Sequence, residues 1–104
     1  MILGLTEQRI VQGQTYCLGL EFDAEDIEKI SKLWFSCSAL NIVREMQLDS
    51  EKNVFMLEIS WEETKGFEPQ KTSFNITAEL IGSNKPREVA NGVDLNIIKN
   101  KNPV

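Results

Sequence analysis

Histidine is absent from this 104-residue chain. With it go the commonest general base near neutral pH, the usual partner of a nucleophilic serine or cysteine, and the commonest metal ligand. Only two cysteines are present, too few to form a four-ligand zinc site of the usual kind without histidine. Neither Cys17 nor Cys37 has a basic neighbour in sequence to lower its thiol pKa. No apolar run approaches the ~20 residues that span a bilayer, and the first seven residues lack the basic and apolar regions of a secretory signal. No two basic residues are adjacent, whereas nucleic-acid binders cluster Lys and Arg to neutralise phosphates. The six glycines are scattered singly, so no phosphate-cradling loop is present. Ser36-Cys37-Ser38 lacks the Gly-x-Ser-x-Gly elbow that presents a hydroxyl for attack. Catalytic residues, cofactors, metals, nucleic acid and membrane are all expected to be absent from its chemistry. The expected compartment is the cytoplasm on synthesis, with both thiols free.

What the chain does contain is alternation. Phe55, Leu57, Ile59 and Trp61 share one parity, and Phe74, Ile76, Ala78 and Leu80 share another. Period two is the signature of a strand with one buried face. Further strands are expected at Thr15–Phe22, at about Lys32–Ser38, at Asn41–Leu48 and at Val93–Ile98, with a short edge strand at Gln8–Val11. Helical turns are expected at Ala24–Lys29 and Glu62–Gly66. The turn after Ile81 is expected to have Ser83-Asn84 at its apex rather than Gly82, and Asn91-Gly92 to be a turn that opens the last strand. Phe55, Leu57, Ile59, Phe74, Ile76, Leu80, Leu18, Leu20, Leu95 and Ile97 form the expected core. Trp34 and Trp61 are expected in the core or half-buried. Six or seven short strands at this spacing predict an antiparallel sandwich or small barrel. Residues 1–104 read as one domain with a polar tail at 99–104.

Charge is uneven: residues 1–69 hold 13 acids and six bases, residues 70–104 three acids and five bases. Glu21, Asp23, Glu25, Asp26 and Glu28 form an acidic corner with no base between them. These five are the candidate partner-contact residues, although a solvated corner explains them as well. A calcium loop is not spelled out there, because the glycine that turns such a loop is missing.

The stretch Leu57-Glu58-Ile59-Ser60-Trp61-Glu62-Glu63-Thr64, followed by Pro69 and the strand Phe74-Asn75-Ile76-Thr77 and then by Gly92, resembles small immunoglobulin-like β-sandwich proteins of phage and prophage tail and baseplate gene modules in Gram-positive bacteria. Gly13-Gln14-Thr15 also resembles their opening. Phe74 stands where those proteins usually carry tyrosine, and Pro69-Gln70-Lys71 replaces a glycine-bearing turn. The resemblance implies an all-β, antiparallel, immunoglobulin-like sandwich. It implies a non-enzymatic structural or assembly role through protein–protein contacts, with tail or baseplate subunits or further copies as partners, and incorporation into a virion. The alternative is a small acidic, anti-CRISPR-like inhibitor whose carboxylates occupy the basic nucleic-acid channel of a host nuclease.

Overall fold

A computed structural model describes residues 5–101. Seven strands carry the chain: β1 (Gln8–Val11), β2 (Tyr16–Glu21), β3 (Ile30–Cys37), β4 (Ile42–Asp49), β5 (Val54–Ile59), β6 (Gln70–Leu80) and β7 (Arg87–Ile98). Two short helices, α1 (Ala24–Lys29) and α2 (Trp61–Thr64), and a 3-10 turn at Ser38–Leu40 complete the described elements. The protein is all-β with a few helical turns.

The strand order is β1-β7-β6-β3-β4-β5-β2. One strand is shared between two groups: Ile42–Met46 of β4 pair with β3, and Gln47–Asp49 pair with β5. The ladders are antiparallel except at one edge, where β1 runs parallel to β7, with Gln8 opposite Leu95. This corrects the all-antiparallel expectation. The chain turns from β1 into β2 at Val11–Gln14, so β1 lies against β7 without a hairpin to reverse it.

Alternation places the core as the sequence predicts. Leu18, Leu20, Phe55, Leu57, Ile59, Phe74, Ile76, Leu95 and Ile97 are buried, in one cluster with Leu33, Phe35 and Met46. Leu80 is half-buried at the cluster's margin. Two ring pairs sit inside: Phe22 meets Phe55 edge-on at 5.7 Å, and Phe35 lies 4.8 Å from Phe74. Such pairs add about 0.5–1.5 kcal/mol to what burial supplies.

Three local expectations are corrected. Trp61 does not continue the core face of β5 and is 51% exposed. The strand stops at Ile59 because Ser60 caps α2: its hydroxyl accepts from the Glu63 N–H, and the Glu63 carboxylate accepts from the Ser60 N–H. This reciprocal capping satisfies two otherwise orphaned donors. Gly82 does make the turn after β6, at φ +80°, with the Ser83 N–H donating to the Leu80 carbonyl. A glycine at the third position of such a turn escapes the Cβ clash of left-handed backbone. Asn91-Gly92 is not a turn, because β7 runs unbroken through it. Gly92, at φ +63°, forms a bulge there, and register jumps from Phe74–Val93 to Ile76–Ala90. Its N–H donates to Asn75 Oδ1 at 2.8 Å. A bulge of this kind needs a residue in the left-handed region, which glycine adopts without strain.

Candidate functional site

The five candidate carboxylates follow one another around the β2–α1 corner. Glu21 closes β2, Asp23 is the N-cap of α1, Glu25 and Asp26 occupy its first turn, and Glu28 lies in the same helix. Asp26 is half-buried and the other four are exposed. The Asp23 carbonyl accepts from the Asp26 and Ile27 N–H groups. Acids in a first turn oppose the partial positive charge of the helix start, and Lys29 in the last turn complements the other end. Glu25 and Asp26 therefore favour the helix start, while the Asp23 side chain makes no capping hydrogen bond. Among the described residues no His, Cys, Asp or Glu cluster could hold a metal ion, and no basic side chain pairs with the corner. The ion pair that does form lies elsewhere, between Arg44 and Glu63.

Arg44 points inward from β4, Nη1 reaching Glu63 Oε2 at 2.9 Å while Nη2 pairs with Oε1. The hydrogen bond from Arg44 holds the Glu63 carboxyl below its ordinary value, and the same bond pushes Arg44 up. This fork bridges β4 to α2 at the point where β4 leaves β5. The helix is fastened again on its other side. Thr64, fully buried, donates through Oγ1 to the Gln14 carbonyl at 2.8 Å, and Gln12 Nε2 donates to the Phe67 carbonyl at 2.7 Å.

The thiols are unbridged. Cys17 is exposed on the outer face of β2 and Cys37 is buried, as their parities predict. Trp34 is half-buried; its Nε1 donates to Glu79 Oε2 at 2.8 Å, and the Lys32 ammonium lies 5.9 Å from its ring. Tyr16 is buried, donates to Gln8 Oε1 at 2.9 Å, and has its phenol pushed up to about 12, chiefly by burial. An open cleft of about 340 Å³ at the start of β4 is lined by Ser36, Ser38, Asn41, Val43, Ser73 and Asn75. These neutral groups supply no acid–base pair.

The edges differ more sharply than any pocket does. An edge strand presents a row of unpaired N–H and C=O groups, and natural proteins guard such rows with charge, proline, bulges or shortness. Strand β1 is four residues long and carries Arg9. The half of β4 that lacks β5 carries Arg44, Glu45 and the tether to Glu63. Strand β2, Tyr16-Cys17-Leu18-Gly19-Leu20-Glu21, is longer than β1, has no proline or lysine, and carries its single charge, Glu21, only at its end. It pairs with β5 over six consecutive residues without a bulge. Among the described residues its other side has no ladder partner. Its outer face is low. At Gly19 a Cβ would stand 3.1 Å from Met56 Sδ, so the Met56 side chain lies over the strand, itself 42% exposed. Sequence reasoning named Glu21 here but missed the edge, because edge position is set by pairing with β5, 33 to 43 residues away.

No described helix is long and apolar enough to cross a membrane. No protein-family model matches the chain, and the comparison with curated proteins finds no match.

Proposed function

We propose that this chain is an immunoglobulin-like β-sandwich module without catalytic activity, a structural or assembly component that works through protein–protein contacts. The strand order supports the sandwich. With β2, β5 and β4 as one group and β3, β6 and β7 as the other, the pairings within each group follow the B-E-D and C-F-G order of that architecture, while β4 also pairs with β3 over Ile42–Met46 and so links the two groups. Strand β1 beside β7 extends the second group, and one hydrophobic cluster draws on both groups. The resemblance of residues 57–80 and Gly92 to tail and baseplate modules favours a phage or prophage origin. The observation that carries the functional reading is the β2 edge, which has no ladder partner among the described residues and carries a single charge, Glu21, at its end. A partner strand added there gains backbone hydrogen bonds for affinity and side-chain contacts for specificity. The absence of histidine from the sequence points the same way.

The test is reconstitution with the proteins encoded beside it, read as a complex by size-exclusion chromatography with light scattering. Co-elution with a tail or baseplate subunit is expected. Turnover in hydrolase, nuclease or transferase assays overturns the reading. The second reading, inhibition of a host nuclease, is favoured by the corner carboxylates, four of them exposed and none paired with a basic side chain among the described residues. It requires binding that weakens steeply with salt and is lost on reversing Asp23 and Asp26 to Lys. Loss of every complex on that reversal would replace the first reading by the second.

A further inference from the structure

The chain contains a single Asn-Gly pair, Asn91-Gly92. Such a pair is open to spontaneous amide chemistry, because glycine puts no side chain in the way of its own backbone nitrogen. We propose that Asn91 is a latent deamidation site, held unreactive by the hydrogen bond from the Gly92 N–H to Asn75. In the reaction the Gly92 nitrogen attacks Asn91 Cγ and gives up its proton, the side-chain amide leaves as ammonia, and a succinimide ring closes. Water then opens either carbonyl of the ring, giving aspartate or isoaspartate. The sum is an amide and a water exchanged for a carboxylate and an ammonium ion.

Both residues are exposed, and a Cβ placed on Gly92 would meet nothing within 4 Å. Packing therefore does not keep the reacting atoms apart. The restraint is the bulge itself. Ala90 is fastened opposite Ile76 and Val93 opposite Phe74, so Asn75 stands across from both Asn91 and Gly92. Asn75 is in turn paired with Ser36 on β3, which fixes the strand that carries it. Its Oδ1 accepts the Gly92 N–H at 2.8 Å. Bringing the Gly92 nitrogen onto Asn91 Cγ requires the Asn91–Gly92 peptide to rotate, and that rotation breaks the hydrogen bond. Asn75 is thus a latch on the nucleophile. Conversion would place a new negative charge in β7 of a chain already at −5. Isoaspartate would also add a backbone carbon, shifting the register with β6 from Val93 onward.

The test follows Asn91 in the full chain at mildly alkaline pH, by peptide mapping that separates aspartate from isoaspartate and by the acidic shift on isoelectric focusing. In urea, where the latch is gone, Asn91 should convert faster than every other asparagine of the chain. In the folded wild type it should lag its own denatured rate by roughly tenfold or more. Asn75→Ala should raise the folded-state rate about two- to tenfold, the factor that corresponds to one lost hydrogen bond. Asn75→Asp keeps an oxygen acceptor and should keep the wild-type rate. Thr64→Val loosens the fold from α2, far along the chain from the latch, and should leave Asn91 unchanged. A folded wild type that converts as fast as the denatured chain overturns the proposal, and this comparison decides the matter by itself where Asn75→Ala does not fold. A folded Asn75→Ala protein whose rate does not rise also overturns it. So does a Thr64→Val protein that accelerates as much as Asn75→Ala.

Discussion

Replacing Ile76 by Ala probes the core where it has least freedom to relax. Ile76 is 0% exposed and sits mid-strand in β6, opposite Phe35 on β3 and Ala90 on β7. Strands on both sides hold its backbone, and Phe35 is packed against Phe74, so the walls cannot close over the space. Three carbons are removed. At about 0.8 kcal/mol per buried methylene, transfer alone costs roughly 2.4 kcal/mol. The cavity left behind raises this towards the upper part of the ~2–5 kcal/mol range seen for such truncations. Against a total stability of about 5–15 kcal/mol, this is a large fraction. Urea denaturation followed by the fluorescence of Trp34 and Trp61 should show the midpoint falling by roughly 1–3 M. Val43→Ala is the control: that side chain is 70% exposed on the outer face, and its loss should stay within about 0.5 kcal/mol. An Ile76→Ala cost under half a kcal/mol, or equal effects at the two sites, would refute the assigned faces of β6 and with them the core.

Thr64→Val keeps shape but removes the hydroxyl that joins α2 to the Gln14 carbonyl; a loss of about 1–3 kcal/mol in the same denaturation assay is expected. Tyr16, the sole tyrosine, should titrate near 12 in the folded protein by absorbance near the phenolate band. Its neutral form is favoured by folding, so its contribution is intact below the unfolded value of about 10 and is lost as pH rises towards 12. A midpoint at about 10 would contradict its burial. Glu63 is the opposite case. Its folded value is depressed by Arg44, so its contribution is present above the ordinary value of 4.5 and is lost as pH falls below it. Because the pair is more than a third exposed on the Glu63 side, the effect should be at most about 1 kcal/mol, and Glu63→Gln should remove it from the acid limb of the stability curve. Alkylation of the native protein should label Cys17 and spare Cys37 until denaturant is added. Equal labelling of both without denaturant would contradict the inward face of β3.

Local signals carried far in this chain. The strands from β1 to β6 fall where alternation and turn residues put them, because a half-buried strand writes its two faces into consecutive residues. The helical turn at Ala24–Lys29 was legible from the helical spacing of the apolar residues that begins at Ile27 and Ile30. Trp61 misled because parity continued past Ser60, while the capping pair Ser60 and Glu63 three residues apart was the competing signal that won. Gly92 misled because Asn-Gly is the commonest two-residue hairpin turn; what distinguishes a bulge is the partner strand, here Asn75 opposite it. The acidic corner was legible as a cluster, but its role in holding α1 depends on where the helix starts. The β2 edge was invisible in the linear order, since which strand ends a sheet is decided by long-range pairing rather than by the strand itself.

Backbone hydrogen exchange along β2 tests the central claim most directly. Amides facing an open edge exchange readily and become protected when a strand is added beside them. With the partner bound, new protection should fall on Tyr16–Glu21. The α1 corner should be unchanged. Protection centred on Asp23–Glu28 with β2 unaffected, or no new protection on β2 in a complex shown to have formed, would contradict the account.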